Sequence, residues 1–187
     1  MNPPLSNPDR IYTYEDYLKW PDDERWELID GVPYNMSPAP SVKHQRISRE
    51  LTTELTLLSR GKSCEVFAAP FDVVLFPDQG LNVIQPDISF ICDKRKIDTK
   101  GCKGSPDLII EIISPSTAKH DKWLKFKLYE RAQVQEYWIV DPTNETVDVF
   151  TLNEYRKYEL SGTYGKEDTI TVGIFEESSI GLNVIFK

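Results

Sequence analysis

Two carboxylates stand where carboxylates are out of place. Glu111 interrupts the apolar run Leu108-Ile109-Ile110-Glu111-Ile112-Ile113, and Asp87 follows Pro86 in a stretch that also holds Ile84, Ile88 and Phe90. Alternate side chains of a strand go to opposite faces, so Leu108, Ile110 and Ile112 share one face and Ile109, Glu111 and Ile113 the other. Apolar residues on both faces mark a strand covered on both sides, as in the middle of an α/β sheet. A carboxylate there must be paired, protonated or bound to a metal, because an isolated one costs too much to desolvate. If the Asp87 and Glu111 strands are neighbours, the two acids repel, and a divalent cation relieves that repulsion. All-oxygen ligands suit Mg²⁺ or Mn²⁺ rather than zinc. A blander account is equally open: Asp87 caps a turn after Pro86 and Glu111 pairs with a nearby lysine.

Three further residues bear on that chemistry. At helical spacing Asp121, Lys125, Leu128 and Ala132 form one stripe, with Leu124 and Tyr129 at its edges. Lys125 therefore reaches toward the core or the carboxylates, or else pairs with Asp121 one turn back or runs its stem out to solvent. Lys119, Lys122 and Lys127 fall on other sides and read as surface. Glu27, between Trp26 and Leu28, is either the solvent-facing member of an alternation, the favoured reading, or a third acid. His44 begins an apolar stripe; such a histidine is more often a satisfied core-edge residue than a base, but it is kept as an additional candidate.

The elements that would position these groups are legible. Residues 1–10 read as a loose tail. Thr13 opens a short helix over 14–20, ended by Pro21. Residues 26–34 read as a hairpin turning at Asp30-Gly31. Pro38, Ala39 and Pro40 make a stiff connector, and Ser41 caps a helix to about Ser59 with His44, Ile47, Leu51, Leu55 and Leu58 on one face. Strands are expected over 65–76 and 83–92, with Pro77-Asp78-Gln79-Gly80 between them. After a lysine-bearing loop comes the Glu111 strand. A helix capped by Ser116 or Thr117 then runs to about Ala132, followed by strands over 136–141 and 146–152. The tail reads as further strands with Gly162, Gly165 and Gly173 at bends. The order is helix, three strands, helix, strand, wrapped by extra strands: a mixed α/β sheet in a single domain spanning 1–187.

Composition narrows the function. A chain of 187 residues with 28% charged and 40% hydrophobic residues can bury a core and is not disordered. No apolar run reaches the length of a membrane span, and the start has no apolar core of a signal peptide. Three cysteines without CxxC spacing suggest a reducing cytoplasm, with neither disulfides nor zinc. A net charge of −8 speaks against a broadly basic nucleic-acid surface. The lysines and arginine near 94–103 and the lysines at 119–127 leave a basic strip open, although a solvated face is the plainer account. Nucleophile-elbow, P-loop and GxGxxG signatures are absent, which removes the usual support for hydrolase, NTPase and dinucleotide readings.

Pro86-Asp87, then Glu111 in an apolar strand, resemble the PD-(D/E)xK signature of the restriction-endonuclease-like superfamily. More narrowly, five segments in this order resemble the Uma2 family of endonucleases, also known as a domain of unknown function. They are Trp26-Glu27-Leu28-Ile29-Asp30-Gly31, Gln85-Pro86-Asp87-Ile88, Glu111-Ile112-Ile113-Ser114-Pro115-Ser116-Thr117, the run Asp121…Lys125…Tyr129, and Glu136-Tyr137-Trp138-Ile139-Val140-Asp141-Pro142. The resemblance implies an αβββαβ restriction-endonuclease-like core with extra N- and C-terminal strands. It also implies a site in which Asp87 and Glu111 hold Mg²⁺ or Mn²⁺, with Glu27 as a further acid. The lysine position of the signature, two residues after the acid, is Ile113; the family pattern takes its lysine from the following helix, at Lys125. The expectation is a metal-dependent, cytoplasmic endonuclease acting on nucleic acid, DNA first, as a homodimer. The alternatives are an inactive binding or assembly protein on the same scaffold and, more weakly, a metal hydrolase of small phosphate compounds.

Overall fold

The computed structural model describes residues 10–21, 23–36, 39–114, 120–175 and 178–187, of which 120–122 as backbone only. The elements in chain order are α1 (Tyr14–Tyr17), β1 (Trp26–Ile29), β2 (Val32–Asn35), α2 (Val42–Ser59), β3 (Glu65–Ala68), β4 (Val73–Leu75), β5 (Asn82–Ile84) and β6 (Ile88–Ile91). There follow β7 (Ile97–Asp98), β8 (Gly101–Lys103), β9 (Leu108–Ile112), α3 (His120–Ala132), β10 (Glu136–Asp141), β11 (Thr146–Leu152), β12 (Tyr158–Gly165), β13 (Thr169–Thr171) and β14 (Ser179–Gly181).

The strands make two six-stranded sheets, ordered β2-β1-β5-β4-β8-β7 and β12-β11-β10-β9-β6-β3, and a small β13–β14 hairpin. In the second sheet β3, β6 and β9 run antiparallel and β9 pairs β10 in parallel. With α2 before β3 and α3 between β9 and β10, this is the expected αβββαβ core in a mixed sheet.

Alternation along β9 divides the interior. Leu108, Ile110 and Ile112 pack with Ile47, Leu51 and Leu55 of α2 and with Leu182, Ile185 and Phe186 of the C-terminal segment. Ile109 packs on the other side with Leu128, Tyr129 and Ala132 of α3 and with Ile29, Val73, Leu75 and Ile84 of the first sheet. The first sheet's outer face, with Leu28, Val74 and Val83, is covered by Tyr12, Tyr14, Tyr17 and Trp20. Helix α2 holds because Ser41 Oγ accepts the His44 N–H at its start and because Ile47, Leu51 and Leu55 lose nearly all contact with water. Each such side chain contributes about 1.5–3 kcal/mol relative to exposure.

Several expectations need correction. The strand expected over 65–76 is two strands, β3 and β4, in different sheets, and 83–92 likewise divides into β5 and β6. The crossings fall at Ala69-Pro70, joined by a cis peptide, and at Gln85-Pro86-Asp87; the Ala69 N–H donates to the Asp87 carbonyl at 3.0 Å. A proline has no N–H for a ladder, and each strand stops two residues before its proline. Two cysteines expected to be free are bonded to each other, Cys64 to Cys92. The β3–β6 ladder pairs Glu65 with Ile91, and one register step further sets Cys64 opposite Cys92. That disulfide takes away the cysteine-based support for a reducing compartment. Cys102 is free and buried. Helix α1 ends at Tyr17, earlier than expected, although Thr13 and Asp16 form a full capping box. Gly162 lies inside β12, opposite an irregularity of the β11–β12 register, rather than at a bend between strands. The N-cap expected at Ser116 or Thr117, the tail before Arg10 and the side chains of Lys119, Asp121 and Lys122 fall outside the described residues. Among the described residues, no helix is long and apolar enough to cross a membrane.

Candidate active site

Period-two alternation explains why Glu27 is inside. Leu28 faces the outer layer and Ile29 the interior, so Glu27, two residues before Ile29, points inward as well. It is 4% exposed, which corrects the favoured solvent reading. Glu111 reaches the same space from the other sheet, on the face of β9 that carries Ile109. Helix α3 supplies the group between them. Lys125 Nζ donates to Glu27 Oε1 at 2.9 Å and to Glu111 Oε1 at 3.0 Å. One turn on, the Tyr129 hydroxyl donates to Glu111 Oε1 at 2.6 Å. Glu27 Oε1 also accepts the Gln85 backbone N–H at 2.9 Å.

Asp87 enters from the crossing segment. The β6–β9 ladder begins with Ile88 paired to Ile110, which sets Asp87 just before it, alongside the end of β9. Its Oδ2 accepts the Ile112 backbone N–H at 2.8 Å and lies 3.2 Å from His44 Nε2. Residues 85–87 thus connect the sheets and contribute to the site at both ends of the tripeptide. Contacts join Glu27, Lys125 and Glu111, with Tyr129 and the Gln85 N–H, in one group and Asp87 with His44 in a second, the two adjoining where Asp87 takes the N–H of Ile112, next to Glu111. Tyr129 carried a signal as the i+4 neighbour of Lys125; Gln85 carried little beyond its place before Pro86.

The electrostatics follow from burial and charge count. Glu111 is pushed up to about 7, first by desolvation, with Lys125 working against it and Asp87 and Glu27 adding to the rise. Burial would lower Lys125, but Glu111 and Glu27 outweigh it and hold the ammonium above the ordinary lysine value. The Tyr129 hydroxyl is raised by burial and then by the Glu111 charge, so it stays a donor. Burial pulls His44 down, while its hydrogen bond to Asp87 and that carboxylate's charge raise it more.

Among the described residues, no group of three His, Cys, Asp or Glu side chains is arranged to hold a metal unaided. Mg²⁺ does not need one, since it is commonly held by one or two carboxylates and completed by waters and substrate phosphate. Asp87 and Glu111 offer hard oxygens and are 19% and 13% exposed at the side chain. Three carboxylates meet here, and Lys125 is shared between two of them while Asp87 has only a histidine beside it, so acids outnumber cations. The donor set therefore fits a divalent cation.

Comparison with known proteins gives the family and the fold. The model of a family called Uma2, described as "Putative restriction endonuclease", matches residues 14–184. Among curated proteins, the uncharacterized protein slr1290 of Synechocystis is 32% identical over 143 residues, 75% of this chain and 74% of the relative. A second uncharacterized Synechocystis protein, sll1609, is 28% identical over 137 residues, 71% of this chain and 76% of the relative. Among solved structures, "a putative nuclease belonging to DUF820 from Anabaena variabilis" superposes with a TM-score of 0.74 at 21% identity, over 93% of this chain and 97% of that one. That likeness establishes the shared fold.

Proposed function

This chain belongs to the Uma2 family, and from that premise we propose that it is a metal-dependent endonuclease that hydrolyses phosphodiester bonds of nucleic acid, DNA first. One observation carries the assignment: Glu111 takes the Lys125 ammonium at 3.0 Å while the Asp87 carboxylate takes the N–H of Ile112, the next residue along β9, and lies close enough for its charge to raise Glu111. Asp87 and Glu111 are the residues that would hold Mg²⁺ or Mn²⁺. Bound there, the ion would polarise the phosphodiester and lower the pKa of a water.

The chain's own residues do the rest. Lys125 acts as an ammonium. Its raised pKa argues against a base and for a donor that neutralises charge developing on the phosphate. Glu27 and Tyr129 orient Lys125 and Glu111 respectively, and His44 steadies the Asp87 carboxylate. Ile113 in the signature's lysine position does not empty the site of a cation, because α3 brings one to the same acid.

The same ion pairs are also what an inactive scaffold would use to quiet its buried acids, so the non-catalytic reading is the rival. Cleavage of plasmid and of labelled oligonucleotides with Mg²⁺ or Mn²⁺ separates them. Asp87→Ala and Glu111→Ala should each lose at least about 100-fold of the rate, or ~2.7 kcal/mol of transition-state stabilisation. Equal rates in wild type and both variants would mark a contaminant and end the assignment. A homodimer belongs to the same proposal, since paired sites suit duplex cutting; sedimentation at several concentrations tests it.

A further inference from the structure

A cleft of about 290 Å³ opens beside Asp87, lined among others by Arg25, Gln45, Arg49, Thr52 and Ala68. Its two arginines differ in what already holds them. Arg49 donates to the Glu50 carboxylate through both Nε and Nη2. Arg25 donates through Nε to the Gln85 side-chain carbonyl at 3.0 Å, and its Nη2 lies 4.0 Å from Met36 Sδ. Among the described residues, none of Arg25's hydrogen-bond partners carries a charge.

The amide that holds Arg25 is itself fixed. Gln85 Nε2 donates to Asp72 Oδ1 at 2.9 Å and to the Tyr17 hydroxyl at 3.2 Å, and that hydroxyl donates to Asp72 Oδ1 at 2.8 Å. Turning the amide over would set its NH₂ against the guanidinium and its oxygen against a carboxylate. The Gln85 backbone N–H meanwhile donates to Glu27, so one residue anchors both the guanidinium and the acid–lysine group. By contrast Lys94, Arg95 and Lys103, the cations that looked like a basic strip in the sequence, are matched to Glu65, Asp93 and Asp98.

A guanidinium that is pre-oriented, has no carboxylate partner among the described residues and keeps a planar fork of donors suits an oxyanion such as phosphate. We propose that Arg25 is a phosphate-binding residue: held by Gln85 in the cleft beside Asp87, it takes a backbone phosphate of the polynucleotide next to the phosphodiester at the carboxylates. Gln85 is its positioning residue. This rests on the nuclease assignment and names a contact within it.

The test reads binding apart from cleavage. A fluorescein-labelled single strand and its duplex are titrated in Ca²⁺ over a range of salt, with wild type, Arg25→Gln, Arg25→Lys and Arg95→Gln, each checked for folding by urea denaturation. One lost phosphate contact should lower the slope of log affinity against log salt by about 0.7 for the single strand and about 0.9 for the duplex. Arg25→Gln should show that loss and bind about tenfold more weakly. Arg25→Lys should keep the slope but bind more weakly, because a point charge replaces the fork. Arg95→Gln should change neither. An unchanged slope and affinity in Arg25→Gln overturns the assignment of Arg25 and leaves the nuclease standing. If Arg25→Gln does not fold, wild-type affinity in Arg25→Lys overturns it. A wild type that binds neither strand nor duplex overturns both.

Discussion

Lys125 Nζ lies 3.0 Å from Glu111 Oε1, although the two residues belong to different elements 14 positions apart. The contact exists because β9 presents Glu111 on the face that α3 covers, and Lys125 lies on the covered side of α3. The same ammonium bonds Glu27 from the other sheet, so one cation ties three elements.

Removing that cation should be costly. In Lys125→Met, Glu27 and Glu111 are left as buried acids without a counter-charge. Breaking such a group costs about 3–5 kcal/mol. Urea denaturation with a chelator present should show the loss, and saturating Mg²⁺ should recover part of it by binding the freed carboxylates in the folded state. A variant as stable as wild type in chelator would show that Lys125 contributes nothing to holding the acids.

Glu136 offers a pH dependence away from the site. It is 2% exposed and accepts the Trp138 indole N–H at 2.6 Å. Desolvation raises its pKa, partly offset by Trp138 and by the Gly173 and Ile174 backbone. The folded carboxyl therefore holds its proton to higher pH than the unfolded one, which releases it near about 4.3. Its contribution is full below that value and is lost as pH rises through the folded pKa. Glu111, also raised, acts in the same direction, so the informative quantity is a difference. Between pH 4 and 8, Glu136→Gln should lose less stability than wild type; parallel curves would count against a raised Glu136.

The cysteines give a chemical check on the sheet register. Alkylation in denaturant without reductant should label Cys102 alone, and reduction should expose Cys64 and Cys92 as well. Closing a loop between residues 28 apart in sequence is expected to contribute about 3–4 kcal/mol in the chain-entropy picture, lost on reduction. Three reactive thiols that persist after incubation with oxidised glutathione would count against strands β3 and β6 presenting these residues to one another.

Much of the fold was legible because it is written in local periodicity. Ser41 and the stripe from Ile47 to Leu55 specify α2, Asp30-Gly31 specifies the β1–β2 turn, and the two apolar faces of 108–113 place β9 in a covered sheet. Asp87, Glu111 and Lys125 stood out as charges inside apolar patterns. Other features depended on partners distant in sequence. Tyr158, in a tail legible only as further strands, is 9% exposed and bonds the Val134 carbonyl, because it packs with Leu128, Tyr129 and Ala132 of α3.

Residues 26–34 announce a hairpin by themselves, but alternation only sorts side chains into two sets. Which set is covered depends on the second sheet arriving on that side, and this sends Glu27 to Lys125 rather than to water. The strands read over 65–76 and 83–92 run through Pro70 and Pro86, and only packing reveals that the chain changes sheets at both, bringing Asp87 to the Ile112 N–H and Cys64 to Cys92. Spacing along the chain determined which residues could form elements and which charges were misplaced. The partners of those charges were decided by the tertiary structure, because desolvation, register and ion pairing act between strands and helices that the sequence holds far apart.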